Sequence, residues 1–337
     1  MKKKRYLIYI ILILGSIPFL FPFWRLVSGS LKEKERFFIY PPDPVPVRVK
    51  YYAKINGIWK EVRVLANPGE LKNEPEHIND YKVKILDNEE VQWVKKDNFK
   101  KKKKLYLRWK NFSDAWTKAM FGRYLINSAF VSLMTILGTI ISCSLVGYAF
   151  ARLRFVGKNI LFMIILATLM LPSQITLIPT FIIFKTLGWI DTFKPLFVPH
   201  WFASAAGSSA FFVFLFRQFF MTIPLDLEDA AKIDGCSPLM TYWHIILPLA
   251  KPVVITVAIY SFMWSWNDLI NPLIYLNSEY KRTLTLGLAN FIGTYSYLEP
   301  TQLLAASFMM IIPTIAIFFV AQKALMEGMK ISGGIKG

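Results

Sequence analysis

The sequence has few of the residues and motifs from which enzyme active sites are most often built. It contains only 2 cysteines and 3 histidines, and it has neither an HExxH segment nor a paired-cysteine spacing for zinc. It also lacks the GxxxxGK(S/T) loop that binds nucleotide phosphates and the GxSxG turn of many hydrolases. These absences disfavour an enzyme. We expect no catalytic residue, cofactor or metal, and no ATP hydrolysis by the chain itself.

Charged side chains are scarce as well, at 18% of the residues against 54% hydrophobic ones. A helix needs roughly 20 predominantly apolar residues to cross a bilayer. Six such stretches occur, at 6–27, 124–151, 160–184, 195–219, 253–276 and 303–321. Because lipid offers no hydrogen bonds to an open backbone, we predict an all-α polytopic membrane protein with six transmembrane helices.

The basic residues beside the first span predict the orientation. Residues 2–5 read KKKR, and lysine and arginine favour the cytoplasmic side. This segment resembles a secretory signal peptide, but its apolar part is longer than a usual signal core and no clear cleavage site follows. We interpret it as a retained span. An even number of spans then places both termini in the cytoplasm and the chain in the cell membrane.

The polar region between the first two spans has the pattern of β-strands. Alternating residues predict strands at 47–55, 59–66, 81–87, 89–94 and 105–109, with turns at Asn56-Gly57 and near Asn88. We expect a small β-rich insert at 43–105, on the extracytoplasmic side.

Five consecutive lysines, residues 100–104, have two interpretations. They could bind an anionic ligand or nucleic acid, with Tyr106 and Trp109 as stacking partners. They could instead form a solvated strand edge that lysines keep from aggregating. We favour the strand edge, because charge runs are usually solvated, and we expect no nucleic-acid partner.

Residues 225–252, LDLEDAAKIDGCSPLMTYWHIILPLAKP, carry charge between two strongly apolar segments. Helical spacing predicts that the small residues Ala230, Ala231 and Gly235 share one side of a short helix. Gly235 and Pro238 should end that helix, and a second helix should follow. The pattern predicts a water-exposed projection at the membrane surface that docks into a partner. Its carboxylates are Asp226, Glu228, Asp229 and Asp234.

Small residues in the second predicted span favour close helix packing. Ser142, Ser144, Gly147 and Ala149 offer little side-chain bulk, so a neighbouring helix can approach. We assign these residues no chemistry.

The 225–252 segment resembles the EAA loop of ABC-importer membrane subunits. The matching pattern is Asp229-Ala230-Ala231, three residues, Gly235, nine residues, Ile245, one residue, and Leu247-Pro248. The family has Glu where this chain has Asp229, although Glu228 precedes it. Further segments resemble the carbohydrate-importer, maltose-type permeases: RYLINSAFVS, YAFARLRFVGKN, LMLPSQITLIP, FLFRQFFMTIP, FMWSWNDLINPLIYL and EGMKISGGIKG.

The resemblance implies a permease subunit of the type I ABC importer fold, which carries a sugar, chiefly an oligosaccharide, by alternating access. It implies a second permease, two copies of an ATPase subunit that bind ATP and Mg, an extracytoplasmic solute-binding protein and membrane lipid as partners. The implied ATPase-coupling residues are Glu228, Asp229, Ala230, Ala231, Asp234, Gly235, Leu247 and Pro248.

Four residues of the fifth predicted span have two interpretations. Trp264, Trp266, Asn267 and Asp268 combine aromatic faces with hydrogen-bonding groups, which suits a sugar pathway, and an acid in a span is a functional hypothesis by default. They could equally form an aromatic belt at the membrane interface.

The sequence divides into four predicted regions. These are the cytoplasmic N-terminus and first helix (1–30), the extracytoplasmic loop with its insert (31–115), the transmembrane domain (116–327, with the coupling loop at 222–248) and a cytoplasmic tail (328–337). Two alternatives stay open. A proton- or sodium-coupled transporter needs ionisable residues deep in its spans, where only Asp268 is offered. A membrane-anchored scaffold would use the insert as its working part.

Overall fold

The structure is a computed structural model, and it describes all residues except 1, 40, 56, 68–79, 87–88, 119, 205–207, 296–299 and 334–337. The chain forms two compact units. The first comprises Met1–Ala115 with Tyr295–Phe308, and the second comprises Trp116–Thr294 with Met309–Gly337. We call them the sheet unit and the helical unit, and each is described by itself. The predicted turns at Asn56 and Asn88, and the end of the predicted tail, lie outside the described residues.

The sheet unit begins with a long apolar helix and continues into a β-sheet. Its helices are α1 (Lys2–Ser30), α2 (Lys34–Phe37) and α3 (Lys110–Lys118). Five antiparallel strands lie in the order β4-β3-β2-β1-β5. Their bounds are Val47–Ile55 (β1), Ile58–Ala66 (β2), Asp80–Ile85 (β3), Val91–Lys95 (β4) and Phe99–Leu105 (β5). The first four strands agree with the alternating pattern, as predicted for the β-rich insert of an otherwise all-α chain.

The predicted last strand, at 105–109, is also wrong. The strand is β5 (Phe99–Leu105), and its lysines pair backbone to backbone with β1, from Val47 opposite Leu105 to Ala53 opposite Phe99. Strand pairing supplied by β1 outweighs the low strand propensity of lysine, since that propensity depends strongly on context. The lysine run is thus an exposed edge strand, as the favoured interpretation predicts.

The sheet curls so that its core lies inside the curve. Phe99 of β5 stacks on Tyr81 of β3 with ring centroids 3.9 Å apart, although two strands separate β5 from β3 in the sheet. This contact closes over a core of small and branched side chains, including the fully buried Ala53 and Val83. Strong right-handed twist makes such curling favourable.

The helical unit contains the other helices. They are α4 (Phe121–Arg152), α5 (Lys158–Thr168), α6 (Ser173–Thr186), α7 (Lys194–Trp201), α8 (Ser208–Thr222), α9 (Asp226–Ile233), α10 (Pro238–Thr241), α11 (Leu247–Leu249), α12 (Lys251–Asn267), α13 (Ile270–Tyr275), α14 (Leu284–Tyr295) and α15 (Pro300–Gly333). A π-helical turn, Tyr242–Ile246, lies between α10 and α11. Helix α15 begins in the sheet unit and continues into the helical unit.

Among the described residues, three helices are long and apolar enough to cross a membrane without a break: Ile8–Ser30, Phe121–Arg152 and Pro300–Val320. The number rises to six if each of three bent helix pairs counts as one span. The predicted third span is such a pair, α5 and α6, bent by 98°. Pro172 stands at the start of α6, where it cannot continue a straight helix.

Two other predicted spans are interrupted, so they are not single straight helices. The predicted span at 195–219 consists of α7 and α8, and the one at 253–276 consists of α12 and α13. Asp268 stands at the second break, where its carboxylate accepts a hydrogen bond from the backbone of Asn271. A side chain that accepts a hydrogen bond from the backbone of a following helix favours a break in the chain at that point over one continuous helix.

Helix α4 lies at the centre of the helical unit and packs against α7, α8 and α12. Close approach depends on its small residues, as predicted. A Cβ added at Gly147 would lie 2.7 Å from the Cβ of Phe216 and 3.1 Å from the backbone nitrogen of Arg217. The adjoining core is aromatic, with Phe212, Phe216 and Phe220 fully buried.

Asp191 ties together the two loops that follow α6 and α13. It accepts hydrogen bonds from the backbone nitrogens of Asn277 (3.0 Å) and Ser278 (2.9 Å) and from the Lys281 ammonium (3.0 Å). Burial alone would raise the pKa of Asp191, but the bonds from Ser278, Lys281 and Asn277 outweigh it and hold the pKa well below the usual range. Both loops therefore lie at one end of the helical unit.

We expect Asp191→Asn to lower Tm at pH 7 by about 2–5 °C, because charge-assisted bonds are replaced by weaker ones. Asparagine keeps the left-handed backbone that Asp191 adopts (φ 58°). A group with a lowered folded pKa stabilises fully above its ordinary pKa and loses that effect only as pH falls through the lowered value. The difference in Tm between the wild type and Asp191→Asn should therefore persist from pH 7 down to about pH 4. A difference that vanished already at pH 6 would contradict this assignment.

Candidate functional site

The predicted docking segment is a bent excursion from the helical unit. Helix α9 leaves α8 at an angle of 79°, and Pro238–Leu249 meets α12 at the same angle of 79°. Gly235 ends α9 with a left-handed backbone (φ 78°), which glycine adopts without strain. Ser237 then accepts a hydrogen bond from the Met240 nitrogen and caps α10. We call residues 222–249 the excursion segment.

Glu228 faces into the helical unit, and its partner is Arg152 at the end of α4. Arg152 Nε lies 2.8 Å from Glu228 Oε1, and the two side chains are only 6% and 8% exposed. Arg152 also donates hydrogen bonds to the carbonyl oxygens of Phe220 (2.6 Å) and Ile223. The ion pair therefore joins α4, the end of α8 and α9. Nothing in the sequence pattern pointed to Arg152 as the partner of Glu228.

The outward face of α9 carries other side chains. Asp229 is 64% exposed and pairs with Lys232 at 2.8 Å, one turn along the helix. Ala230 and Asp234 are also exposed. The prediction that Ala230, Ala231 and Gly235 share one face is wrong, because Ala231 points inward one turn after Glu228 and Gly235 lies beyond the helix. Residues three apart share a face, whereas neighbours in sequence do not.

Large apolar side chains on the excursion segment are exposed, and the sequence interpretation missed them. Ile233 is 88% exposed. Leu239 and Met240 are more than half exposed. Ile233 lies seven residues after Asp226 and four residues after Asp229. This helical spacing was the available signal that Ile233 shares the exposed side of α9 with these two carboxylates. Apolar side chains clustered on a projecting segment indicate an interaction site.

The returning limb of the excursion segment is fixed to α4. Tyr242, in the π-helical turn, is fully buried, and its hydroxyl lies 2.6 Å from the Ser144 hydroxyl. Leu247 packs at the border of the aromatic core, while Pro248 is exposed at the start of α11. The segment is therefore held on both limbs, by Glu228 and by Tyr242.

A cavity of about 900 Å³ lies within the helical unit. Of the four residues predicted for a pathway, Trp264, Asn267 and Asp268 line this cavity. Trp266 lies elsewhere. It is 3% exposed, stacks on Phe262 with ring centroids 5.1 Å apart, and donates its indole N–H to the Met310 carbonyl at 3.3 Å.

The cavity wall combines aromatic and polar groups. The Trp264 ring packs against Phe212 with centroids 5.0 Å apart and remains partly exposed. The Asp268 carboxylate accepts hydrogen bonds from the backbone nitrogen of Asn271 at 3.2 Å and from its side-chain amide at 2.8 Å. The sequence interpretation did not include Asn271 as a partner of Asp268. Asn271 lies three residues beyond Asp268, which is the spacing of a helix cap.

Comparison with known sequences identifies the family. Residues 143–330 match the family described as "Binding-protein-dependent transport system inner membrane component". The chain belongs to this family. The arabinooligosaccharides transport system permease protein AraQ of Halalkalibacterium halodurans is 34% identical over 228 residues, which cover 67% of this chain and 79% of that protein.

Two further relatives are named for the transport of other substrates. The trehalose transport system permease protein SugB of Mycobacterium tuberculosis is 33% identical over 228 residues, covering 67% of this chain and 81% of that protein. The sn-glycerol-3-phosphate transport system permease protein UgpE of Yersinia enterocolitica is 31% identical over 230 residues, covering 66% and 79%. These matches confirm the predicted resemblance to permeases of the carbohydrate-importer class. The chain is thus a multi-pass membrane permease subunit.

A solved structure shares the fold. A chain from the crystal structure of a bacterial ABC transporter involved in the import of the acidic polysaccharide alginate matches with a TM-score of 0.67 at 18% identity, covering 96% of both chains. This confirms the predicted importer-permease fold, which is mostly helical.

Proposed function

We propose that this permease subunit serves an ATP-driven, binding-protein-dependent importer of sugars, with an oligosaccharide as cargo. Its relatives in arabinooligosaccharide and trehalose transport systems support the cargo class. A separate ATPase subunit, present in two copies, binds ATP and Mg. A second permease and an extracytoplasmic solute-binding protein complete the importer. Both termini and the excursion segment face the cytoplasm, and the insert at 43–105 is extracytoplasmic.

One observation carries the proposal: the excursion segment presents apolar side chains outward while its two limbs are fixed to α4. Ile233 is exposed on the outward face, and Glu228 on the inward face is paired with Arg152. A short helix with an exposed apolar side chain beside carboxylates suits a groove on a partner protein. Because the limbs are held, movement of that partner is transmitted to α4 and the helices packed on it.

The mechanism is alternating access. ATP binds the closed form of the ATPase pair more tightly than the open form, and this difference shifts the equilibrium of the whole importer. The excursion segment follows the ATPase, and α4 carries α7, α8 and α12 with it. The cavity beside Trp264 and Asp268 then opens alternately to the two sides of the membrane.

We expect Ile233→Asp to weaken ATPase association about tenfold, because a buried apolar contact is lost and a charge is placed in the interface. The measurement is co-purification of the ATPase subunit with the tagged permease from cells that express the complete operon. Val156→Asp is the matched control, since Val156 is 99% exposed in the turn after α4. Equal recovery of ATPase with both variants, or a wild-type complex without any ATPase, would contradict the proposal.

A further inference from the structure

The cavity of the helical unit is lined almost entirely by uncharged groups. Among the described residues on its wall, Asp268 is the only carboxylate, and there is no lysine or arginine. Three cations adjoin wall residues along the chain, Lys185, Lys194 and Arg282, but none of them lines the cavity. Lys281 pairs with Asp191 at 3.0 Å, and Arg282 lies 3.4 Å from Glu279. Apart from the His200 imidazole, an anion that entered this cavity would meet no side chain on the described wall that can carry positive charge.

Hydroxyl groups make up much of the remaining polar wall. Thr135 and Thr283 are both buried, and within the described part of the chain their hydroxyl oxygens have no hydrogen-bond partner. Buried hydroxyl groups usually have a partner, so unpaired ones call for an explanation. A ligand or water that brings its own hydroxyl groups can supply the missing bonds once side chains at the wall adjust.

Aromatic rings complete the wall. Trp264 and Tyr260 lie with ring centroids 6.5 Å apart, and each is almost half exposed. Aromatic rings with few, well-placed polar groups form the usual lining of a small-molecule site. Such a surface suits the apolar face of a sugar ring, and Asp268 and Asn267 are polar groups on the same wall.

We infer that this cavity takes the sugar as an uncharged, hydroxyl-rich molecule, and that Asp268 accepts hydrogen bonds from its hydroxyl groups. The inference rests on the proposed function and narrows its substrate class. Moving a phosphate or carboxylate from water to this wall is unfavourable, since no lysine or arginine among the described lining residues compensates the charge. A neutral saccharide keeps its hydroxyl groups bonded to Asp268, Asn271 and the threonines. We therefore expect this wall to disfavour a phosphorylated cargo such as the one named for UgpE.

The substrate class is tested with the complete importer and its binding protein in proteoliposomes. The neutral probes are trehalose and an arabino-oligosaccharide, and the anionic probes are sn-glycerol 3-phosphate and an alginate trisaccharide. We expect ATP-dependent uptake of at least one neutral probe and of neither anionic probe. Uptake of an anionic probe, or of no neutral probe, overturns the inference. The proposed function fails separately, through absence of the ATPase from the purified complex.

The role of Asp268 is tested by Asp268→Asn, which can still cap α13 because asparagine is as good a cap as aspartate. We expect uptake of the neutral probe to fall about tenfold, while the yield of assembled complex stays at the wild-type value because the cap is kept. Asp268→Ala, which also removes the cap, should lower both the uptake and the yield of assembled complex. Unchanged uptake by Asp268→Asn overturns the role of Asp268.

Discussion

Replacing Arg152 with alanine is expected to destabilise the permease by about 3–5 kcal/mol, because it leaves the buried carboxylate of Glu228 without its cation. The side chains are 6% and 8% exposed, so solvent screening is weak. Glu228→Ala should destabilise the permease less than Arg152→Ala does. Arg152 then still donates to the carbonyl oxygens of Phe220 and Ile223, whereas Glu228 has Arg152 as its ionic partner in the described part of the chain.

The measurement is thermal and denaturant unfolding of the detergent-solubilised subunit. Asp229→Ala is the matched control, one position away on the same helix. Its carboxylate is 64% exposed and pairs only with an exposed lysine, so the expected change is below about 1 kcal/mol. A double variant, Arg152→Met with Glu228→Met, should recover most of the lost stability, because an apolar pair needs no desolvation of charge.

These variants also test whether the Arg152–Glu228 ion pair has a role in transport. If the ion pair transmits ATPase movement to α4, the double variant Arg152→Met with Glu228→Met should keep the fold and lower the uptake obtained per ATP hydrolysed. If the shape of the excursion segment alone transmits the movement, the double variant should keep the wild-type uptake per ATP. Arg152→Ala should lose stability in either case. Equal stability of Arg152→Ala and Asp229→Ala would show that the ion pair does not hold α9 in place.

Gly147→Ala is expected to destabilise the helical unit by about 1–3 kcal/mol, although alanine is the better helix former. The added Cβ would lie 2.7 Å from Phe216 Cβ, 3.1 Å from the Arg217 nitrogen and 3.2 Å from the Val213 carbonyl oxygen. Two of these three atoms belong to the backbone of α8, so the clash cannot be relieved by rotating a side chain. Helices α4 and α8 must separate.

The control for this prediction is Gly15→Ala in α1. No atom lies within 4 Å of the Cβ that it would add, so only the helix propensity changes. That change favours alanine by roughly 0.5–1 kcal/mol. Unfolding free energies of the two variants should therefore move in opposite directions. Loss of stability in both, or in neither, would show that packing against α8 does not set the effect at Gly147.

Local patterns predicted much of the chain correctly because they depend on neighbouring residues. Alternation over 47–55 predicted β1, and the small Gly147 predicted a close helix contact. The spacing from Asp229 to Pro248 predicted the importer family that the comparisons show. In each case the signal lies within one element or one short segment.

The errors arose where distant segments decide the structure. Five lysines do not look like a strand, but β1 provides hydrogen-bonding partners about 50 residues away in sequence. Trp266 looks like a cavity residue beside Trp264, but positions two apart in a helix lie about 200° apart. Trp266 therefore lies on another side of the helix, where the Met310 carbonyl accepts a hydrogen bond from its indole N–H. The inward turn of Ala231 follows from the same geometry.

Composition and local pattern are enough to predict a membrane protein, the strand and helix periods, and the spaced residues of the excursion segment. Which face of each element is buried, and which charges meet, depends on tertiary packing. Arg152 and Glu228 are 76 residues apart in sequence, and no local pattern links them, yet the packing of α4, α8 and α9 places them 2.8 Å apart. Such pairs depend on chain folding, because the attraction between two charges is set by distance and burial rather than by sequence.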